Sequence, residues 1–164
     1  MPTIDEIIIE AKKFRKALDL CRAEDPSVLP GFPIGYCKLA SLLLACSLLN
    51  KWPQLIVYGV SGKTKSHDGE DTISHYWIEI ERTAIDITAD QYNSIDSRHL
   101  NTKILNCRPF PSFQAGKAGA TLNHKIFNIF NRDKYTTGLS ELAEDALEDL
   151  QETNASILKY LPQT

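Results

Sequence analysis

Several ordinary routes to function are closed by what this chain lacks. Its 164 residues carry a formal charge of -3, and the pI lies near 5.8. No surplus of lysine and arginine is present to neutralise a run of phosphates, so nucleic-acid binding is disfavoured. The opening Met-Pro-Thr-Ile-Asp-Glu has no cationic segment leading into an apolar stretch, and the longest apolar runs are far too short to span a bilayer. A cytoplasmic location without membrane contact is the expectation. The four cysteines, Cys21, Cys37, Cys46 and Cys107, include no pair at the two-residue separation of zinc knuckles or redox motifs, which leaves reduced thiols and no metal. Val60-Ser-Gly-Lys-Thr lacks the spaced upstream glycine of a phosphate-binding loop and is expected to be a solvated hairpin loop. Internal repeats and linkers are also missing.

What is present is an ordinary globular composition, 43% apolar and 24% charged, which suffices for one core and predicts a single domain over residues 1–164. Thr3 and Glu6 form a capping-box pattern ahead of Ile4, Ile7, Ile8, Ala11, Phe14, Leu18 and Cys21, so a helix should run to just before Pro26. Pro26 to Tyr36 holds three prolines and two glycines and reads as a stiff, irregular approach. From Cys37 the run Lys-Leu-Ala-Ser-Leu-Leu-Leu-Ala-Cys-Ser-Leu-Leu is apolar on nearly every side, the pattern of a buried central helix with Cys37 at its N-terminus.

Strands are predicted at Gln54 to Val60, Ser74 to Glu81 and Ala84 to Thr88, with a polar loop over Ser61 to Thr72 and a short Arg82-Thr83 connection implying antiparallel pairing. Farther on, Lys103 to Cys107 reads as a strand, Arg108 to Ala120 as loop, Leu122 to Asn131 as helical, and Ser140 to Leu161 as a helix with an acidic exposed face.

Chemistry concentrates around Cys37. A thiol attacks as thiolate, and a helix N-terminus favours that anion through its unpaired N–H groups and its dipole. His75, in Ser74-His-Tyr-Trp-Ile-Glu-Ile-Glu, is the candidate base; His67, His99 and His124 lie in poorer contexts. Asp86, set between isoleucines in Ala84-Ile-Asp-Ile-Thr-Ala-Asp, is the candidate to orient the imidazole. Simple register competes with that choice, since a turn at Arg82-Thr83 would place Asp90 opposite His75 and Asp86 opposite Glu79. A bulge or a different turn would bring Asp86 beside the ring. Glu79 shares the His75 face and is expected to be solvent-facing.

A cysteine opening an apolar helix, a His-x-Trp strand and an apolar-Asp-apolar-Thr strand, in that order over Gly31 to Tyr92, resemble the transglutaminase-like and papain-like cysteine enzymes, including leader peptidases of lasso-peptide pathways and arylamine N-acetyltransferases. The resemblance implies an α+β fold with the Cys37 helix packed on an antiparallel sheet and the terminal helices outside. It also implies a Cys37, His75, Asp86 triad without cofactor, acting on an amide, ester or thioester carbonyl of a peptide or protein. Hydrolysis is the first expectation, acyl transfer the second, and a binding or assembly module of the same fold the third. One departure is that no glutamine or asparagine stands shortly before Cys37 to complete an oxyanion hole.

Overall fold

The computed structural model describes residues 1–163. Helix α1 (Ile4–Glu24) starts where its capping box places it: the Glu6 backbone N–H donates to Thr3 Oγ1 at 3.3 Å and the Thr3 N–H to Glu6 Oε2 at 2.7 Å. It ends at the Asp25 cap, ahead of Pro26, with Ile7, Ala11, Phe14, Leu18 and Cys21 on its buried face. Helix α2 (Cys37–Lys51) begins at Cys37 and is buried without interruption from Ala40 to Leu49, so it is enclosed by the other elements as its all-round apolar composition requires.

One antiparallel sheet carries β1 (Val57–Lys65), β2 (Thr72–Ile80), β3 (Thr83–Asp86), β4 (Gln114–Lys117) and β5 (Asn128–Tyr135), in the order β4-β3-β2-β1-β5. Helices α3 (Thr102–Leu105) and α4 (Leu122–Ile126) are single turns, and α5 (Glu144–Leu158) is the last element among the described residues. The α+β architecture with α2 against the sheet is as expected.

Several local expectations differ from the structure. Ser61-Gly-Lys-Thr is paired in β1 and not looped, because its residues complete the ladder with β2 through Lys65 and Thr72. Lys103 to Cys107 contributes to helical α3 and not to a strand: the Asn101 side chain accepts from the Ile104 N–H at 3.0 Å and starts a helical turn there. The loop assigned to Arg108–Ala120 contains β4, which pairs with β3. The helical stretch from Leu122 stops at Ile126, and the following residues extend into edge strand β5.

The β2–β3 turn also moves. Glu81 and Arg82, with φ of 47° and 63°, are its two central residues, the all-positive pattern of a type I′ hairpin. Ile80 therefore faces Thr83, Glu79 faces Ala84 and Ile78 faces Ile85. Continuing that register sets Asp86 across from Trp77 and diagonal to His75, within reach of a long side chain. Asp90 falls beyond the strand, in a 3-10 turn over Ala89–Asn93.

Both faces of the sheet are covered. Val57, Ile78, Ile80 and Ile85 pack with α1, α2 and α5, whereas Val60, Trp77 and Ala84 pack with Tyr92, Leu100, Ile104, Phe110, Ile126 and Phe127. The second layer comes from the poorly patterned stretch between the Ala89 turn and Phe127. It is why β2 is buried at every position from His75 to Ile80 instead of at alternate ones. Among the described residues, no helix is long and apolar enough to cross a membrane.

Leu43, fully buried at the centre of α2, sets a stability expectation. Leu43→Ala should lower the unfolding free energy by about 2–5 kcal/mol, against less than about 1 kcal/mol for Ile9→Ala on the exposed side of α1. Urea unfolding checks the pair; equal losses would contradict α2 as the core.

Candidate active site

Cys37 opens α2, and Tyr36 provides no side-chain cap there, so the first-turn N–H groups are left unpaired by the helix itself. Deeper in α2, Ser41 Oγ donates to the Tyr76 carbonyl at 3.4 Å, fixing the helix against β2. β3 pairs with β2 only from Ile78 onward, and the Tyr76 backbone N–H reaches the Cys37 sulfur instead. Burial works to raise the pKa of this thiol. A hydrogen bond with His75 and the charge on its ring outweigh that, and the net shift is downward. Cys21 and Cys46 lack such a partner, and burial pushes both of them up.

His75 is 1% exposed and enclosed by aromatic rings, with Tyr92 edge-on at 5.3 Å, Phe127 at 5.4 Å and Trp77 at 6.0 Å between centroids. Gly62 pairs directly with it across β1, and the missing side chain there is required: a Cβ would stand 2.7 Å from the Phe127 Cβ. Burial alone would lower the pKa of His75; the Asp86 charge and hydrogen bond, then Cys37, drive it well above the ordinary histidine value.

Asp86 answers the imidazole at 2.6 Å from Oδ2 to Nε2. The same oxygen accepts from Asn123 Nδ2 at 2.7 Å and Gln114 Nε2 at 3.3 Å. Its other oxygen takes the Thr88 backbone N–H at 2.8 Å and the Thr88 hydroxyl at 3.3 Å, so both oxygens are occupied. Burial opposes ionisation, but His75 and these donors hold the carboxyl down at about 2. A charged acid of this kind fixes the ring proton on Nε2 and leaves Nδ1 for the thiol.

The structure therefore brings together Cys37, His75 and Asp86 and excludes Asp90 from the histidine. Asp90 instead holds the buried guanidinium of Arg15 through two hydrogen bonds, at 2.9 and 2.8 Å. Arg15 also donates to the Ile87 and Ser112 carbonyls. The register argument for Asp90 failed because the turn lies one residue earlier than Arg82-Thr83.

Glu79 is likewise not solvent-facing. It is 4% exposed and accepts from Arg132 at 2.6 Å, His124 at 3.0 Å and Trp77 Nε1 at 3.2 Å. Burial raises its pKa, and these donors more than reverse the effect. His124, set aside on sequence context, thus has a partner in Glu79.

Sequence reasoning missed Thr88, Gln91, Gln114 and Asn123. Thr88 carried a signal, since an aspartate two residues ahead of a threonine can cap that backbone N–H. Gln91, Gln114 and Asn123 carried none, because their roles depend on how the second layer folds over the sheet. Comparison with protein-family models, curated proteins and solved structures finds no match to this chain.

The two aspartates separate experimentally. Losing Asp86 lowers the pKa of His75, so the imidazolium disappears at lower pH and the Cys37 thiolate needs higher pH to form. The pH profile of Cys37 alkylation by iodoacetamide should accordingly move to higher pH in Asp86→Ala. In Asp90→Ala the profile should stay near wild type, while stability falls by about 3 kcal/mol because Arg15 keeps a buried charge without its main partner. Site-resolved mass spectrometry and urea unfolding give the two readouts; a profile shifted only by Asp90→Ala reverses the assignment.

Proposed function

We propose that the protein is a cysteine hydrolase of the transglutaminase-like and papain-like group, acting through Cys37, His75 and Asp86 on a carbonyl of a peptide or protein substrate. The observation that carries this reading is the buried series from a helix-terminal thiol to an imidazole to a fully hydrogen-bonded carboxylate. A merely structural cysteine has no need of it, and burying the two charges is costly unless each is matched.

The chemistry follows from the proton positions. Nδ1 of His75 already holds the thiol proton, and the Cys37 thiolate adds to the carbonyl carbon as the π pair moves onto oxygen. When that pair returns, the bond to the leaving amine breaks and the Nδ1 proton goes to the departing nitrogen. Water then attacks the thioester, Nδ1 accepting its proton, and the second tetrahedral species collapses to the carboxylic acid with the sulfur as leaving group. Asp86 keeps its charge throughout, holding the ring and stabilising the imidazolium. Proteolysis and side-chain amide hydrolysis share every one of these steps.

An activated ester tests the reading without knowledge of the natural substrate. With p-nitrophenyl acetate, an acetyl group should accumulate on Cys37 in a burst of nitrophenolate, followed by slower release as acetate. His75→Ala should slow the burst by about 10²-fold or more. Acetyl groups spread over all four cysteines, or a burst indifferent to His75, would contradict it. Transfer of the acetyl group to added glycinamide in preference to water would favour an acyltransferase.

A further inference from the structure

The site described so far has one donor for a developing oxyanion, the Cys37 backbone N–H at the uncapped start of α2. A second is found downstream of the triad. Gln91 lies in the 3-10 turn Ala89–Asn93 and is 4% exposed. Its Oε1 accepts the Gly35 N–H at 3.3 Å, two residues ahead of the nucleophile. That bond orients the carboxamide and turns Nε2 toward His75, 3.1 Å from Nδ1. Since Nε2 of the ring is committed to Asp86, Nδ1 is the nitrogen that meets the thiol. The amide group of Gln91 and the sulfur of Cys37 therefore converge on the same atom.

We infer that Gln91 donates its side-chain N–H to the oxyanion formed on Cys37 attack, together with the Cys37 backbone N–H. This rests on the reading of Cys37 as a nucleophile. The reason lies in the protonation of Nδ1. While Nδ1 carries a lone pair, it can accept from Gln91. In the thiolate–imidazolium pair Nδ1 holds the proton and is a donor, so the Gln91 hydrogens must turn to another acceptor. The substrate carbonyl oxygen acquires negative charge at the moment sulfur adds to its carbon, and it receives them. When the pair returns to carbon and the leaving group departs, the donor is released.

An oxyanion donor is effective only if it is held in place before the reaction. Neighbours on both sides do this. Asp90 is bound to Arg15 by two hydrogen bonds, Tyr92 donates its hydroxyl to the Ser74 carbonyl at 3.2 Å, and Asn93 exchanges two hydrogen bonds with the backbone of Phe110. The function that upstream glutamines serve in papain-like enzymes is thus taken here by a residue following the acid strand.

Two reagents separate this role from effects on the thiolate. p-Nitrophenyl acetate builds an oxyanion at its carbonyl and releases nitrophenolate without needing a proton from His75. Iodoacetamide is displaced directly at carbon and builds none. Gln91→Ala should lower the ratio of Cys37 acetylation rate to Cys37 alkylation rate by about 10²-fold, with alkylation itself changing less than about threefold. An unchanged ratio, whether both rates hold or both fall together, overturns the role of Gln91 while leaving Cys37 as nucleophile. Absence of Cys37 acetylation in the wild type overturns the nucleophile reading, and this inference with it. Should Gln91→Ala fail to fold by circular dichroism, Gln91→Met, which keeps the side-chain length without the donor, is read by the same ratio.

Discussion

The hydrogen bond from His75 to Asp86 is the constraint on which the surrounding structure depends. Both groups lie on the sheet face away from α2, both are cut off from water, and their charges attract strongly in that low-dielectric setting. Such a pair is tolerable only if the remaining polar atoms are matched. Thr88, Asn123 and Gln114 complete the carboxylate, while Gln91 and Cys37 meet the other side of the imidazole. The aromatic rings of Trp77, Tyr92 and Phe127 then close off solvent.

The layer spanning the Ala89 turn to Phe127 consequently does more than fill space. Adjacent residues of α4, Asn123 and His124, reach two carboxylates on the same sheet face, Asp86 and Glu79, with Trp77 between them. At the other end of the site, Arg15 of α1 ties Asp90 to the Ile87 and Ser112 carbonyls and lies 4.8 Å from the ring centroid of Phe32, in the proline-rich approach to Cys37. One buried cation thereby links the segment before Cys37 to the turn that carries Gln91.

Much of this was legible from residues alone where chemistry is local. The Thr3–Glu6 cap, the stop before Pro26 and the all-round apolar character of the Cys37 helix are statements about neighbours in sequence, and each holds in the structure. Cys37, His75 and Asp86 were singled out by local context, a helix start, a His-x-Trp strand and an aspartate between isoleucines, and the structure brings the three side chains together. Register was harder: a turn displaced by one residue took Asp90 out of line with the histidine and set Asp86 diagonal to it, and only the positive φ values at Glu81 and Arg82 decide it. Glu79 and Gln91 were out of reach for a different reason. Their environments are made by the second layer, whose short turns and irregular segments leave no periodicity to read.

The central claim is that His75, held protonated by Asp86, keeps Cys37 as a thiolate within a mostly buried site. The most direct measurement is the ultraviolet absorbance of the thiolate as a function of pH, taken as wild type minus Cys37→Ala. The account predicts that this difference signal develops below the ordinary cysteine pKa of about 8.5. A signal that rises only at or above about 8.5 would contradict it.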